Sequence, residues 1–364
     1  MTRLRRGARL ASVALRSVGA AVVIGRLAGA ARPAPPVRPT STPTQSISVV
    51  VPARNEATRI RPLLDTVVGA PGVDEVLVVD DQSTDGTADV ASGAGATVIA
   101  GRPLPDGWAG KAWALHQGVE AARSDWVVTL DADTRPDPTL PTALVARAIA
   151  EHLDLVTVGG RFECPTPGSR WLHPAMLTTL VYRFGPPGVP ARDPRRTMAN
   201  GQCMAFERRR FLALGGIALV RDEIVEDIAL ARRIATDGGA VGFLDGSEEL
   251  TVRMFETAAD VWHGWGRSLA LPGVERPARQ LAELSVIVMA QAVPIPRLLT
   301  GRGDAIDVVL ALVRLGTLVG TRRAYTRTGA AYWLSPFADP LAALAIARGV
   351  ARRRRQTWRG RTYS

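Results

Sequence analysis

The chain has 364 residues, with 45 Lys+Arg against 34 Asp+Glu and a formal charge of +11. Apolar residues at 46% and a mean hydropathy of +0.07 exclude both a disordered chain and a fully membrane-embedded transporter. Two cysteines, Cys164 and Cys203, exclude a disulfide scaffold, and no Cys/His spacing suggests zinc, so a reduced, cytosol-facing compartment is the simplest expectation.

The charge sits at the ends. Residues 1–39 carry Arg3, Arg5, Arg6, Arg9, Arg16, Arg26, Arg32 and Arg38 and no acid. Residues 348–364 carry Arg348, Arg352, Arg353, Arg354, Arg355, Arg359 and Arg361, again with no acid. That leaves 30 basic residues against 34 acidic ones in 40–347. Basic ends beside apolar stretches point to an anionic membrane rather than to nucleic acid.

In chain order, residues 10–30 are apolar but interrupted by Arg16 and Arg26. A signal peptide and an uncleaved anchor or interfacial helix fit this stretch equally well. Residues 31–45 form a proline-rich linker. From Ser46, strand and helix patterns alternate. SISVVVP reads as a strand and Glu56–Val68 as a helix; EVLVVDD is a strand, followed by a helix from about Thr87. ATVIA is a strand, Lys111–Ala122 a helix, DWVVTLDAD a strand, Pro138–Glu151 a helix and DLVTVGG a strand. This rhythm predicts an α/β fold: a mixed, mostly parallel sheet with helices on both faces, whose ligands bind at the carboxyl ends of strands. After Gly160 the rhythm weakens. TMANGQCMAF reads as a strand, VEDIALARRIATDGG as a helix, and AVGFLD and ELTVRM as strands, before the tryptophan-containing stretch VWHGWGRSLAL. Three apolar runs follow, Leu281–Leu299, Ala305–Gly320 and Ala330–Val350, each near the ~20 residues that cross a bilayer. The expected organisation is a basic, apolar segment and linker over 1–45, a catalytic domain over 46–272, and C-terminal membrane-associated helices with a basic tail over 273–364.

Five patterns carry chemistry. Asp131-Ala132-Asp133 follows an apolar strand, where two carboxylates can share Mg²⁺ or Mn²⁺ and a diphosphate; a solvated acidic turn has the same sequence. Asp80-Asp81 ends another strand, where an acid can accept hydrogen bonds from a nucleotide base or ribose. Pro52-Ala53-Arg54-Asn55-Glu56 ends the first strand and by itself is an ordinary β–α turn. Lys111, the only lysine in the chain, lies in Gly107-Trp108-Ala109-Gly110-Lys111 at a helix start, where a cation beside N–H groups makes an anion site. Glu226-Asp227 opens a helix, either as dipole stabilisers or as a general base.

The ordered set VVVPARNE, VLVVDDQSTDGT, GWAGKAWAL, VTLDADT, ANGQCMAF and VEDIALARRI resembles the family 2 glycosyltransferases of the GT-A (Rossmann-like) fold over about Ser46–Ala270. GWAGKAWA, the closing segment Trp358–Tyr363 and the apolar C-terminal runs are similar to the membrane-associated branch that contains carotenoid- and hopanoid-associated glycosyltransferases. The resemblance implies that Pro52, Ala53, Glu56 and Asp81 line the nucleotide site and that Lys111 lies near the nucleotide or diphosphate. It implies that Asp131 contacts the ribose or a metal water, that Asp133 ligates a divalent metal (Mg²⁺ or Mn²⁺), and that Asp227 is the catalytic base, supported by Glu226. Val261–Arg267 stands where processive relatives carry Gln-x-x-Arg-Trp, which argues against a processive polysaccharide synthase; Trp262, Trp265 and Arg267 serve either the acceptor or the membrane interface.

The implied reaction is inverting transfer of a sugar from a nucleoside diphosphate sugar, UDP-glucose as the family-level choice, to a lipid-like, isoprenoid or carotenoid acceptor. The alternatives are a transferase of cell-envelope polysaccharide or other glycolipid synthesis and a nucleotidyltransferase; the latter is disfavoured by the glycine-free loop PARNEATRI. The catalytic domain should face the cytosol at the cell membrane, with two of the C-terminal runs crossing and Arg352–Arg355 inside.

Overall fold

The computed structural model describes residues 2–31, 33–39, 45–191, 193–351, 356–358 and 361–363, with side chains placed over 10–30, 33–39, 45–191 and 193–351. The cluster Arg352–Arg355 expected at the membrane lies outside the described residues.

The chain opens with helix α1 (Thr2–Ala28). An alternating series follows: β1 (Ile47–Ala53), α2 (Arg61–Val67), β2 (Glu75–Asp80), α3 (Thr87–Gly93), β3 (Thr97–Ala100), α4 (Gly110–Ala121), β4 (Trp126–Leu130), β5 (Thr134–Pro136), α5 (Leu140–Ala150), β6 (Leu155–Gly159) and β7 (Arg161–Phe162). Next come α6 (Pro167–Phe184), β8 (Cys203–Glu207), α7 (Arg208–Ala213), α8 (Glu226–Thr236), β9 (Val241–Asp245) and β10 (Leu250–Val252). The remaining helices are α9 (Ala258–Ser268), α10 (Pro277–Ile287), α11 (Pro294–Leu299), α12 (Ala305–Thr321), α13 (Gly329–Trp333) and α14 (Asp339–Ala351).

These elements form two compact units. A sheet unit comprises residues 34–163, 187–254 and 354–364, and a helical unit comprises 1–33, 164–186 and 255–353. The division does not follow the linear boundaries at 45 and 272: α6 and α9, inside the expected catalytic span, pack with the terminal helices.

In the sheet unit the strand order is β3-β2-β1-β4-β8-β6-β9. Pairing is parallel throughout except at β8, which runs antiparallel to both β4 and β6. The mixed, mostly parallel sheet is therefore as the sequence predicts. β1 is buried along its whole length because both faces are covered. Val49 and Val51 face the core shared with Leu63, Leu64 and Leu144, and Val50 faces the core shared with Leu115 and Leu230. Gly118 of α4 lies so close to the sheet that a Cβ there would run into the Val50 and Val79 side chains. A second, three-stranded sheet, β5-β10-β7, lies just beyond the end of β4.

Two local expectations change. No helix starts at Glu56; α2 begins at Arg61. The N–H groups of Asn55, Glu56 and Ala57 are instead taken by Ser83 Oγ, Thr87 Oγ1 and Asp85 Oδ2 at 3.0, 2.9 and 3.1 Å. This removes the segment from helical hydrogen bonding and ties the loop after β1 to the loop after β2. The strand expected from Thr197 begins only at Cys203, and the residues before it form a turn.

In the helical unit, α6 was not visible in the sequence pattern. It is buried on nearly every side, from Leu172 and His173 round to Tyr182 and Arg183, so no amphipathic period marks it. Pro174 lies inside it, and its N-terminus is closed by a Thr166/Ser169 capping box. Among the described residues, two helical stretches are long and apolar enough to cross a membrane, Leu10–Ala28 and Pro277–Leu299. The third C-terminal run does not form one helix: it breaks into α13, a short 3₁₀ turn at Ser335–Ala338 and α14, where Pro336 and Pro340 interrupt it.

Candidate active site

The carboxyl ends of β1, β2 and β4 lie side by side in the sheet unit, and the acidic motifs occupy them. Pro52 and Ala53 are buried at the end of β1. The Asp81 N–H donates to Ala53 O at 2.8 Å, and Asp81, only 1% exposed, has Oδ2 at 3.7 Å from Arg54 Nη1. Glu56 is buried and pairs with Arg59 at 2.8 Å. Their opposite charges both act on Asp133. The loops after β1 and β2 thus converge on the loop after β4.

Lys111 sits in the first turn of α4 among three carboxylates. Its Nζ lies 2.8 Å from Asp131 Oδ1, 3.0 Å from Asp131 Oδ2 and 2.9 Å from Glu226 Oε1. Burial alone would lower the Lys111 pKa, but the charges of Asp131, Glu226 and Asp227 outweigh it and raise the pKa above the ordinary range. Burial pushes Glu226 up to about 7, with Lys111 pulling the other way.

Asp227 is held by the backbone on both oxygens. Oδ2 accepts from the Gly201 N–H at 2.6 Å and Oδ1 from the Ile228 N–H at 2.8 Å. Burial nevertheless raises its pKa, against Lys111 and these two bonds. Gly201 was not singled out from the sequence, although it lies in ANGQ. A Cβ on it would sit 3.1 Å from Lys111 Nζ and 3.2 Å from Asp227 Oδ2. The turn before β8 thus brings a backbone donor against the carboxylate where a larger residue would be crowded. The same turn reaches the acidic loop, since the Asp131 N–H donates to Gln202 O at 3.0 Å.

Asp133 differs from its neighbours. Its Oδ1 is buried and has no hydrogen-bond partner. Burial, and then the charge of Asp131, push its pKa up to about 7. A buried carboxylate oxygen without a donor is costly unless protonated or met by a cation, so the residues fit a hard divalent ion. Among the described residues, no group of three or more His, Cys, Asp or Glu could hold a metal by itself. Asp131 and Asp133 would supply two ligands, and a bound diphosphate would have to complete the set.

Trp262, Trp265 and Arg267 lie on α9 in the helical unit. Trp265 is 7% exposed and packs edge-on against His173, with ring centroids 4.8 Å apart. Trp262 is half-buried with the Arg348 guanidinium 5.2 Å from its ring, and Arg267 is exposed.

Comparison with known proteins agrees with this architecture. Residues 48–215 match the family model "Glycosyl transferase family 2". A 4,4'-diaponeurosporenoate glycosyltransferase of Staphylococcus aureus (strain USA300) is 40% identical over 241 residues, 62% of this chain and 61% of its own length. A protein of the same name from Staphylococcus haemolyticus is 25% identical over 235 residues, 63% of this chain and 62% of its own. The chain therefore spans about three-fifths of the length of these curated relatives. Among solved structures, a mannosyltransferase from Pyrobaculum calidifontis in complex with GDP-Man and Mn²⁺ superposes with a TM-score of 0.54 at 18% identity, covering 93% of this chain and 97% of that one. Residues 48–215 are thus similar to the family 2 glycosyl transferases, on a GT-A-type fold.

Proposed function

We propose that the protein transfers a sugar from a nucleoside diphosphate sugar to a lipid-like acceptor at a membrane surface, with inversion at the anomeric carbon. The observation that carries this is the set of carboxylates gathered around Lys111, Asp131 just after β4 and Glu226 and Asp227 at the start of α8, beside the partnerless Oδ1 of Asp133. On this reading Pro52, Ala53, Glu56 and Asp81 line the nucleoside, and Asp131 faces the ribose and diphosphate. Asp131 and Asp133 would hold Mg²⁺ or Mn²⁺, which when bound would neutralise the leaving diphosphate. Mn²⁺ in the Pyrobaculum calidifontis mannosyltransferase supports this choice.

Asp227 then takes the proton from an acceptor hydroxyl as it attacks. Its two backbone hydrogen bonds fix its orientation, and burial strengthens it as a base. Glu226 keeps Lys111 beside Asp131, where the ammonium is ready for the donor's phosphates. Against a carboxylic-acid acceptor no strong base is needed, and Asp227 orients rather than deprotonates.

An apolar acceptor is supported by the relatives' names and by the helical unit. Among the described residues, every large hydrophobic that is well exposed belongs to that unit except Ile149 and Leu214. With the two candidate spans, this supports attachment to a membrane, with the sheet unit on the cytosolic side where nucleotide sugars are found. The test is to incubate the protein in membranes with labelled UDP- and GDP-sugars and an isoprenoid acceptor. Metal-dependent release of the nucleoside diphosphate with formation of a glycolipid is expected. Pyrophosphate release, or donor binding without turnover across the panel, would overturn the proposal.

A further inference from the structure

One short turn holds both sides of the proposed reaction centre. Asn200, Gly201 and Gln202 stand immediately before β8. The Gly201 N–H donates to Asp227 Oδ2 at 2.6 Å, and the Gln202 carbonyl accepts from the Asp131 N–H at 3.0 Å. The proposed base and the donor-side acid are thus bonded to adjacent residues of one piece of backbone. Neither bond involves a side chain of the turn, so both depend on where that backbone lies. Inside the turn, Asn200 Oδ1 accepts from the Gln202 N–H at 3.2 Å and Asn200 Nδ2 donates to Gln202 Oε1 at 2.7 Å. These two bonds set the shape of the turn but not its place, since both partners belong to it.

A tie from the turn to the sheet comes from β6. Thr157 Oγ1 donates to the Asn200 carbonyl at 2.7 Å and accepts from the Asn200 N–H at 2.9 Å. The β6–β8 ladder runs through Val156–Ala205 to Thr157–Met204. Past that rung the chain turns, and the Thr157 hydroxyl takes the place of the next backbone bonds. Thr157 is fully buried. Val156 and Val158 face the core around Leu144, whereas Leu155 faces the core around Leu115 and Leu230, and alternation puts Thr157 on the side of Leu155. There α4 and α8 pack, the helices that carry Lys111 and Asp227. A valine would match the outline of Thr157 but could make neither bond. A hydroxyl buried among apolar side chains is costly unless it is bonded, and this one spends both its donor and an acceptor on a single residue of the turn. We infer that Thr157 is a positioning residue for the reaction: through Asn200 it holds the Gly201 N–H against Asp227 and the Gln202 carbonyl against Asp131, and so keeps the base aligned with the donor's acidic loop. The inference rests on the sugar-transfer reading but concerns a residue that reading leaves out.

Two substitutions separate the hydroxyl from the methyl. Thr157→Val keeps the outline and loses the hydroxyl, and Thr157→Ser does the reverse. The first readout needs no activity: amide hydrogen exchange of the full chain in detergent, followed by mass spectrometry on the peptide that contains Asn200–Gln202. Exchange there should quicken in Thr157→Val and stay near wild type in Thr157→Ser. The second is turnover, read as release of UDP or GDP from UDP-glucose or GDP-mannose with Mn²⁺ and geranylgeraniol as acceptor. Thr157→Val should lose roughly tenfold or more in kcat with the KM for the sugar nucleotide little changed, because a displaced base costs rate rather than donor binding. Thr157→Ser should recover most of that kcat. A residue that only fills space would show the opposite order, with serine, short of a buried methyl, the worse of the two. If Thr157→Val shows no cooperative melting, Thr157→Cys, whose thiol donates weakly, takes its place and should fall between serine and wild-type-like failure of exchange protection in the same two readouts. Wild-type exchange and kcat in the variant without a hydroxyl, or a serine variant as impaired as it is, overturns the inference. Faster exchange with kcat unchanged overturns it too, since the turn would then move without consequence for the base. Exchange that follows the expected order while wild type releases no nucleoside diphosphate from either donor would instead count against the sugar-transfer reading itself.

Discussion

Both units bury charge, but they treat it differently. In the helical unit Arg16, Arg26 and Arg314 are each matched by a carboxylate, although Arg314 Nη1 itself has no hydrogen-bond partner. Arg314 pairs with Asp339 at 2.8 Å, with Ser335 Oγ and the Gln291 amide beside them. Arg16, fully buried on α1, bonds Asp307 at 2.6 Å and Asp304 at 2.7 Å, and Arg26 forks onto both oxygens of Glu283 at 2.8 Å. These pairs tie α1 to α10 and α12 and the start of α14 to α12. In the sheet unit the buried charges are unbalanced. Lys111 faces three carboxylates, Asp133 Oδ1 has no partner, and Glu226 and Asp133 are both driven towards neutrality. Matched burial holds a framework together, while mismatched burial is the condition of a site awaiting a charged ligand.

The largest effect should come from breaking a matched pair. Asp339→Ala leaves Arg314 buried and uncompensated, at a cost of about 3–5 kcal/mol. Melting in detergent should show the loss, and a change below about 1 kcal/mol would mean that the pair is not part of the framework. Asp227→Asn should act in the opposite manner. The neutral amide keeps the fold, and transfer to a hydroxyl acceptor should fall roughly 10²–10⁴-fold while nucleotide binding persists. Wild-type turnover would remove Asp227 from the role of base.

A smaller effect is visible only against pH. Glu226 titrates near 4.5 when unfolded and about 7 when folded, so the native state binds its proton more tightly. The stability this contributes is complete below about pH 4.5 and is lost as pH rises through about 7. In the ligand-free protein, wild type should therefore lose melting temperature relative to Glu226→Gln across that window; parallel profiles would show that the carboxylate is not destabilised. The smallest change is Gly201→Ala. Its Cβ would crowd Lys111 and Asp227 by a few tenths of an ångström. Turnover should drop roughly tenfold with the melting temperature nearly unchanged, since small displacements at a reacting centre cost rate more than stability.

Much of the sheet unit could be read from the chain because its signals are local. Apolar strands such as Val76–Val79 and Val127–Leu130 end in acids, and those ends lie at the candidate site. Lys111 stood out as the only lysine, and Asp131 and Glu226 are the residues it touches. What could not be read depends on contacts distant in sequence. The loop after Ala53 was mistaken for a helix because its competing acceptors lie some 30 residues away, at Ser83, Asp85 and Thr87. Gly201 has no side chain to advertise its role. The sheet β5-β10-β7 joins strands that lie more than a hundred residues apart in the chain. α6 lacks a period because it has no solvent face.

The solitary lysine has a practical corollary. A lysine-specific protease has one target bond in the 364 residues, between Lys111 and Ala112. That bond lies in the first turn of α4, with its side chain locked between Asp131 and Glu226. Scission into two fragments would therefore record openings of this one place alone, with no background from elsewhere in the chain. Amine-directed labels would likewise have a single side chain to find, so the rate of labelling or cutting becomes a clock for how often the centre of the molecule is uncovered, and for how firmly any ligand keeps it shut.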